Sequence, residues 1–235
     1  MRVLALVHQP DAGPGVFAEA LRAAGAMLDE WTPGERSEPP GEPRAYDAVL
    51  VLGGAMNVDE EERHAWIRPE KDLLGELLER GTPLLGLCLG AQLLAAAAGA
   101  SPRRASRPEI GWHRVEVTEE GGDDALLGPL APSFEAFQWH SYEFPLPPGA
   151  VPLARSEICL QACRLGDRAW AIQFHPEVGA ADARRWIEDY RSDPDAVALG
   201  MDPARLGPET ERKIAAFNQL GHDLCLRWLA AAAGA

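Results

Sequence analysis

Long apolar runs are missing from this 235-residue chain. The only one near the N-terminus, residues 3–7, is too short for the core of a secretion signal or for a membrane span. Cysteine is scarce: Cys88, Cys159, Cys163 and Cys225 follow no regular spacing, so neither a disulfide framework nor a metal-binding array is expected. Without an export signal, reduced thiols in a cytoplasm are the default. Positive charge is also in short supply. The 22 Lys and Arg against 36 Asp and Glu give a formal net charge of -14 at pH 7, and that average field repels phosphate. A general nucleic-acid or anionic-membrane surface is thereby excluded, and the cluster of Arg103, Arg104 and Arg107 reads as a solvated loop. No phosphate-binding Gly-x4-Gly-Lys-Ser/Thr loop and no Ser-Gly-Gly-x-Asp-Ser segment occurs, so nothing here activates an acceptor with ATP. Repeats and low-complexity linkers are lacking too. One domain over 1–235 is the simplest organisation, with a catalytic core of about 1–190 and a C-terminal helical extension of about 191–235.

What is present alternates between strand and helix patterns. Residues 1–7 and 46–52 read as buried strands and residues 17–26 as a helix ended at Gly25-Ala26. Residues 31–43, rich in Pro, Gly and charge, read as a surface loop. A helix is expected over 66–80, with the acidic residues 59–62 suited to its first turn. Gly81-Thr82-Pro83 closes it and opens a strand leading to Cys88. This alternation up to Gly99 implies parallel strands with helices on both faces. Further on, residues 111–118, 161–165 and 169–174 read as strands, the last two joined by a Gly166-Asp167 turn, so an antiparallel extension joins the sheet. Helices follow at 180–190 and 209–229, joined by a long connection with Pro194, Pro203 and Pro208. The expected fold is α/β, with a doubly wound, mostly parallel mixed sheet.

The chemistry concentrates in three places. Gly86-Leu87-Cys88-Leu89-Gly90 between an apolar strand and an alanine-rich helix has the layout of a nucleophile elbow. A thiol there stands at the positive end of a helix, where free N–H groups favour thiolate and any oxyanion formed beside it. His175-Pro176-Glu177 follows a strand, and on extended backbone residues two apart share a face, so Glu177 can hold the His175 ring. Gly53-Gly54 ends a buried strand and suits either a tight turn with positive φ or an N–H turned toward a ligand.

Gly53 to Val58, Gly86 to Gln92 and the His175-Pro176-Glu177 triplet, in that order, resemble the class I, triad-type glutamine amidotransferases, and with Phe137 to His140 and Leu146 to Ala150 most nearly resemble free-standing proteins similar to the amidotransferase domain of GMP synthase. The resemblance implies a flavodoxin-like fold with Cys88 as nucleophile, His175 as base and then acid, and Glu177 as its orienting partner. It further implies an oxyanion hole at Gly54 and Leu89, beside Gly53, with Gln92 on the backbone groups of glutamine. The stretch around Ser141 and Tyr142 would meet the substrate's α-carboxylate. The substrate is then glutamine or a γ-glutamyl compound, without metal or organic cofactor. Either a separate synthase subunit receives the ammonia, or the chain acts alone as a γ-glutamyl peptidase or hydrolase. Two other readings stay open, a non-catalytic regulatory module and a stress-type chaperone or peptidase of similar fold.

Overall fold

The computed structural model describes residues 1–36 and 38–234. The parallel half runs β1 (Arg2–Leu6), α1 (Gly15–Ala23), β2 (Met27–Trp31), β3 (Ala48–Val51), α2 (Ile67–Glu79), β4 (Leu84–Leu87) and α3 (Leu89–Ala97). There follow β5 (Arg103–Val117), the short α4 (Glu119–Gly122), β6 (Ser133–Glu143), β7 (Val151–Arg155), β8 (Leu160–Leu165) and β9 (Ala169–Ile172). The chain ends with α5 (Ala180–Glu188), α6 (Pro194–Leu199) and α7 (Pro203–Ala233). All strands join one nine-stranded sheet in the order β2-β1-β3-β4-β9-β8-β7-β5-β6. The pairings from β2 to β9 are parallel and those from β9 to β6 antiparallel.

Period-two alternation explains why helices cover both faces. Val3, Ala5, Ala48, Leu50 and Leu85 point to one side, where Phe17 and Leu21 of α1, Ala183 of α5 and Phe217, Leu224 and Trp228 of α7 pack on them. Leu4, Leu6, Val49, Val51 and Leu84 point to the other, against Ile67, Leu74 and Leu77 of α2 and Leu93 and Leu94 of α3. The fold is therefore the expected doubly wound, mixed α/β sheet. No helix among the described residues is long and apolar enough to cross a membrane.

Several local expectations are corrected. β2 falls inside a stretch with no apolar run because it is a half-exposed edge strand, Met-Leu-Asp-Glu-Trp, so burial imposes no pattern on it. The loop expected at 31–43 begins one residue later, after Trp31, and Ser37 within it lies outside the described residues. Residues 59–62 precede α2 as turns rather than opening it, and Glu70 is the acidic residue of its first turn. The arginine cluster is not loop. It lies on β5, where Arg103 pairs with Glu143 and Arg104 with Asp195. The proline-bearing connection is mostly helical: Pro194 and Pro203 open α6 and α7 behind Asp193 and Asp202 caps, and Pro208 lies within α7. Proline is at home in a first helical turn because its missing N–H would have no partner there.

The tightest packing lies at the Cys88 turn. A methyl group on Gly86 would stand 2.6 Å from the Gly90 carbonyl oxygen, and one on Gly90 would stand 2.1 Å from that of Val51. Helix α3 can cross β3 and β4 this closely only without side chains at both places. Gly90→Ala should therefore destabilise the protein by about 3 kcal/mol or more, because the clash is with backbone. Gly75→Ala in α2, with nothing within 4 Å, should stabilise by about 0.5–1 kcal/mol. Urea unfolding of the two variants checks the opposite signs.

Candidate active site

The C-terminal ends of β1, β3, β4 and β9 point to one edge of the sheet. The chain leaves β1 for β2 on one side and for β3 on the other, the switch point at which doubly wound sheets open a crevice. A cavity of about 770 Å³ occupies that crevice, lined by Gly54, Cys88, Leu89, Gln92, Ser141, Tyr142 and His175 among others.

Cys88 has φ 53° and ψ -111°, and among the described residues no other non-glycine residue has positive φ. Its N–H donates to Ile172 O at 2.8 Å and its carbonyl accepts from Gln92 N at 3.1 Å, so the turn is fixed from both sides. The side chain projects from the N-terminus of α3 into the cavity, 6% exposed, with Sγ 3.9 Å from Trp139 O. Opposite stands His175, 2% exposed, whose Nδ1–H donates to Glu177 Oε1 at 2.8 Å. A methyl group on Gly53 would meet His175 Cε1 at 3.1 Å and Cys88 Cβ at 3.5 Å, which measures how closely the two side chains converge. Burial disfavours the charged imidazole, but the neighbouring Cys88 and Glu177 outweigh it and raise the His175 pKa well above its ordinary value. Nε2 has no partner within conventional hydrogen-bond geometry and faces the cysteine and the cavity.

Extended alternation is not what joins His175 to Glu177. β9 ends at Ile172, and the triplet lies in a turn closed by Val178 N–H on His175 O at 3.4 Å. That turn is held from outside. Val16 N–H donates to Glu177 O at 2.9 Å, Asn218 Nδ2 donates to Val178 O at 2.7 Å, and Gly221 of α7 abuts the Pro176 carbonyl.

Gly53 and Gly54 do not adopt positive φ; they are needed for close approach. A methyl group on Gly54 would stand 3.0 Å from His8 Cβ and 3.1 Å from Leu89 Cδ2. Among the described residues neither Gly54 N–H nor Leu89 N–H has an intramolecular acceptor, and both residues line the cavity. Gln92 spends its amide nitrogen on Tyr142 O at 3.2 Å and Gln173 Oε1 at 3.3 Å, which leaves its amide oxygen for a ligand. Every expected site residue is thus gathered at one place: Glu177 sits behind His175, Gly53 sits behind the cysteine, and the rest line the cavity.

Sequence reasoning missed two buried groups that hold the walls. His8 places Nδ1 3.0 Å from Leu52 O and 3.2 Å from Gly53 O. Its Nε2 lies 3.0 and 3.2 Å from the two oxygens of Glu70, and its ring stacks on Trp66 at 4.8 Å. Carbonyl oxygens face one ring nitrogen and a carboxyl group the other, an arrangement that favours the doubly protonated ring. Burial opposes that charge, but the Glu70 carboxylate and the two carbonyls raise the His8 pKa. The second group is Glu109, His140 and Cys159, whose donor atoms lie within 4.8 Å of one another. Glu109 already accepts from Ser156 Oγ at 3.0 Å and Gln161 Nε2 at 2.8 Å, and His140 Nε2 lies 3.3 Å from it. The cluster closes as a hydrogen-bond network that anchors β6 beside the cavity. The only sequence signal for either group was a polar residue in an apolar setting.

The family profile described as Glutamine amidotransferase class-I matches residues 19–189. A subunit of the glutamine-hydrolyzing GMP synthase of Sulfurisphaera tokodaii is 35% identical over 136 residues, 57% of this chain and 68% of that protein. The crystal structure of a glutamine amidotransferase from Thermotoga maritima is similar with a TM-score of 0.87 and 32% identity over 97% of each chain. That of a glutamine amido transferase from Methylobacillus flagellatus gives 0.84 and 27%, over 98% of this chain and 94% of the other.

Because folding raises the His8 pKa, the pair's stabilisation is fully present below the ordinary value near 6.5 and is lost as pH rises through the raised folded value. Glu70→Gln should lower stability by about 3–5 kcal/mol, since it leaves a buried imidazole without its carboxylate. The variant should also flatten the alkaline fall. Thermal melts of both proteins from acid to alkaline pH check this; equal melting temperatures throughout would refute it.

Proposed function

The chain belongs to the class-I glutamine amidotransferase family, and from that premise we propose that it hydrolyses the side-chain amide of glutamine through a thioester on Cys88. The observation that carries the reading is the convergence of Cys88 and the Glu177-held His175 on the face of Gly53. The raised His175 pKa suits this imidazole to take the thiol proton as the Cys88 sulfur attacks the amide carbon. Gly54 and Leu89, whose N–H groups are free of internal acceptors, would stabilise the tetrahedral oxyanion. One such donor lowers the barrier by about 3 kcal/mol.

His175 then delivers its Nε2 proton to the nitrogen as the C–N bond breaks. The same imidazole takes a proton from the water that clears the thioester, giving glutamate. Glu177 keeps the ring in the tautomer and orientation both steps need. The Gln92 amide oxygen is placed to accept from the substrate's α-amino group, with Ser141 and Tyr142 on the same wall. Ammonia passes to a separate synthase subunit, in keeping with relatives that are themselves named as one subunit of a GMP synthase. Four cysteines, all unpaired and buried, suit a reducing cytoplasm.

Cys88→Ala should abolish ammonia release from glutamine while leaving the melting temperature close to that of the parent. His175→Asn should be nearly as severe. Glu177→Gln keeps shape and removes charge, so kcat should fall on the order of 10²–10⁴-fold with little change in KM. Near-normal turnover by Cys88→Ala would overturn the assignment.

A further inference from the structure

Glutamine loses only ammonia, yet the cavity of about 770 Å³ extends well past the triad, a volume suited to larger ligands than one amino acid. The direction of the surplus space follows from the chemistry. Resting on the thioester reading, His175 must protonate the departing nitrogen, so the leaving group lies on the His175 side of the sulfur. Nε2 of this almost fully buried ring faces the cysteine and the cavity. The wall on that side begins with Trp186, whose ring meets the His175 edge with centroids 5.0 Å apart and whose Nε1 donates to Asp11 O. Trp139 meets Trp186 at 6.0 Å, and Asp11, Asp189, Tyr190 and Asp193 complete it.

That wall is acidic and aromatic, and the cation against it, Arg191, lies over the Tyr190 ring at 4.9 Å rather than on a carboxylate. The two arginines lining the cavity are already paired, Arg63 with Glu60 and Arg104 with Asp195. Asp11 accepts from Gln9, and Asp193 accepts from Trp139 Nε1 and caps α6. No cation pairs with Asp11, Asp189 or Asp193 among the described residues. Carboxylates beside the indole faces of Trp139 and Trp186 form an environment for an organic cation, through charge attraction and cation–π contact. A leaving group of opposite charge finds nothing complementary there.

We infer that the triad also takes γ-glutamyl amides whose amine portion carries a second, cationic amino group, the class formed by joining the γ-carboxyl of glutamate to a di- or polyamine. The reaction balances without any co-reactant but water. Cys88 Sγ bonds to the γ-carbonyl carbon, and the C–N bond breaks as His175 gives its proton to the amine. Water then displaces the sulfur, leaving glutamate and the free diamine.

The test compares glutamate release from γ-glutamylputrescine, its uncharged analogue γ-glutamylpentylamine and its anionic counterpart γ-glutamyl-γ-aminobutyrate, with glutamine alongside. The expected order of kcat/KM is cationic above neutral by about tenfold and anionic lowest. In Asp189→Asn, and separately in Asp11→Asn, the cationic-to-neutral ratio should fall toward one. A neutral or anionic amide used as well as the cationic one would overturn the inference while leaving glutamine hydrolysis standing. An unchanged ratio in both variants would do the same. Absence of Cys88-dependent release from every amide, glutamine included, would instead remove the thioester reading beneath it.

Discussion

The cleft depends on the backbone of one residue being held where it would not rest by itself. At φ 53° and ψ -111°, Cys88 occupies a region that costs a residue with a side chain about 1–3 kcal/mol. The strain persists because the surroundings over-determine it. The Cys88 amide is tied to β9, its carbonyl to the next turn of α3, and α3 is pressed on β3 and β4 through glycine contacts no side chain could share. Relaxing that residue would swing the sulfur away from His175 and tilt the first turn of α3, whose free N–H at Leu89 faces the same space. Nucleophile, helix dipole and oxyanion donor are therefore one geometric fact rather than three.

Imidazole–carboxylate pairs flank this turn on both sides, and they differ in what they leave open. His175–Glu177 commits one ring nitrogen and keeps the other unpartnered toward the cavity. His8–Glu70 commits both, one to the carboxylate and one to the carbonyls of Leu52 and Gly53. Burial opposes charge on each ring, and a carboxylate overcomes it on each. The first pair can therefore exchange a proton with a ligand, whereas the second can only hold the β3 end beneath Gly54. In a chain of net charge -14 the charged form of either ring lies in a favourable long-range field, which adds to the effect of the immediate partners.

How much of this the sequence disclosed follows from burial. The strands β1, β3 and β4 are buried on both faces and read as apolar runs, and the elbow glycines mark a contact that tolerates no substitute. Cys88, Gly54 and the His175 triplet were legible for that reason. β2 was not, because an edge strand half in water carries no pattern. β6 was obscured by polar residues that look solvated but are spent inside, Gln138 on Gln161 and His140 beside Glu109. The expected link between His175 and Glu177 was right in outcome but wrong in cause, since the pairing arises from a turn clamped by α1 and α7. Long-range partners such as Glu70 for His8 leave no local signature, because the residues sit 62 positions apart.

Bond-breaking chemistry and leaving-group choice come from different parts of this chain. The nucleophile, oxyanion donors and base sit at the ends of β3, β4 and β9, deep in a sheet whose flanking helices hold them in place. The outer wall belongs largely to residues 186–195, a stretch of short helical turns reached only after the sheet is complete and half exposed to water. It touches the machinery through Trp186 on His175, through Asp193 on the Trp139 indole and through Asp195 on Ser141. Charges there can be exchanged without disturbing the strained turn, because no backbone of the elbow packs on them. A fold arranged this way can keep one acyl-transfer mechanism while changing which amine it releases, and the carboxylates of Asp11 and Asp189, which pair with no cation among the described residues, are the places where such a change would register.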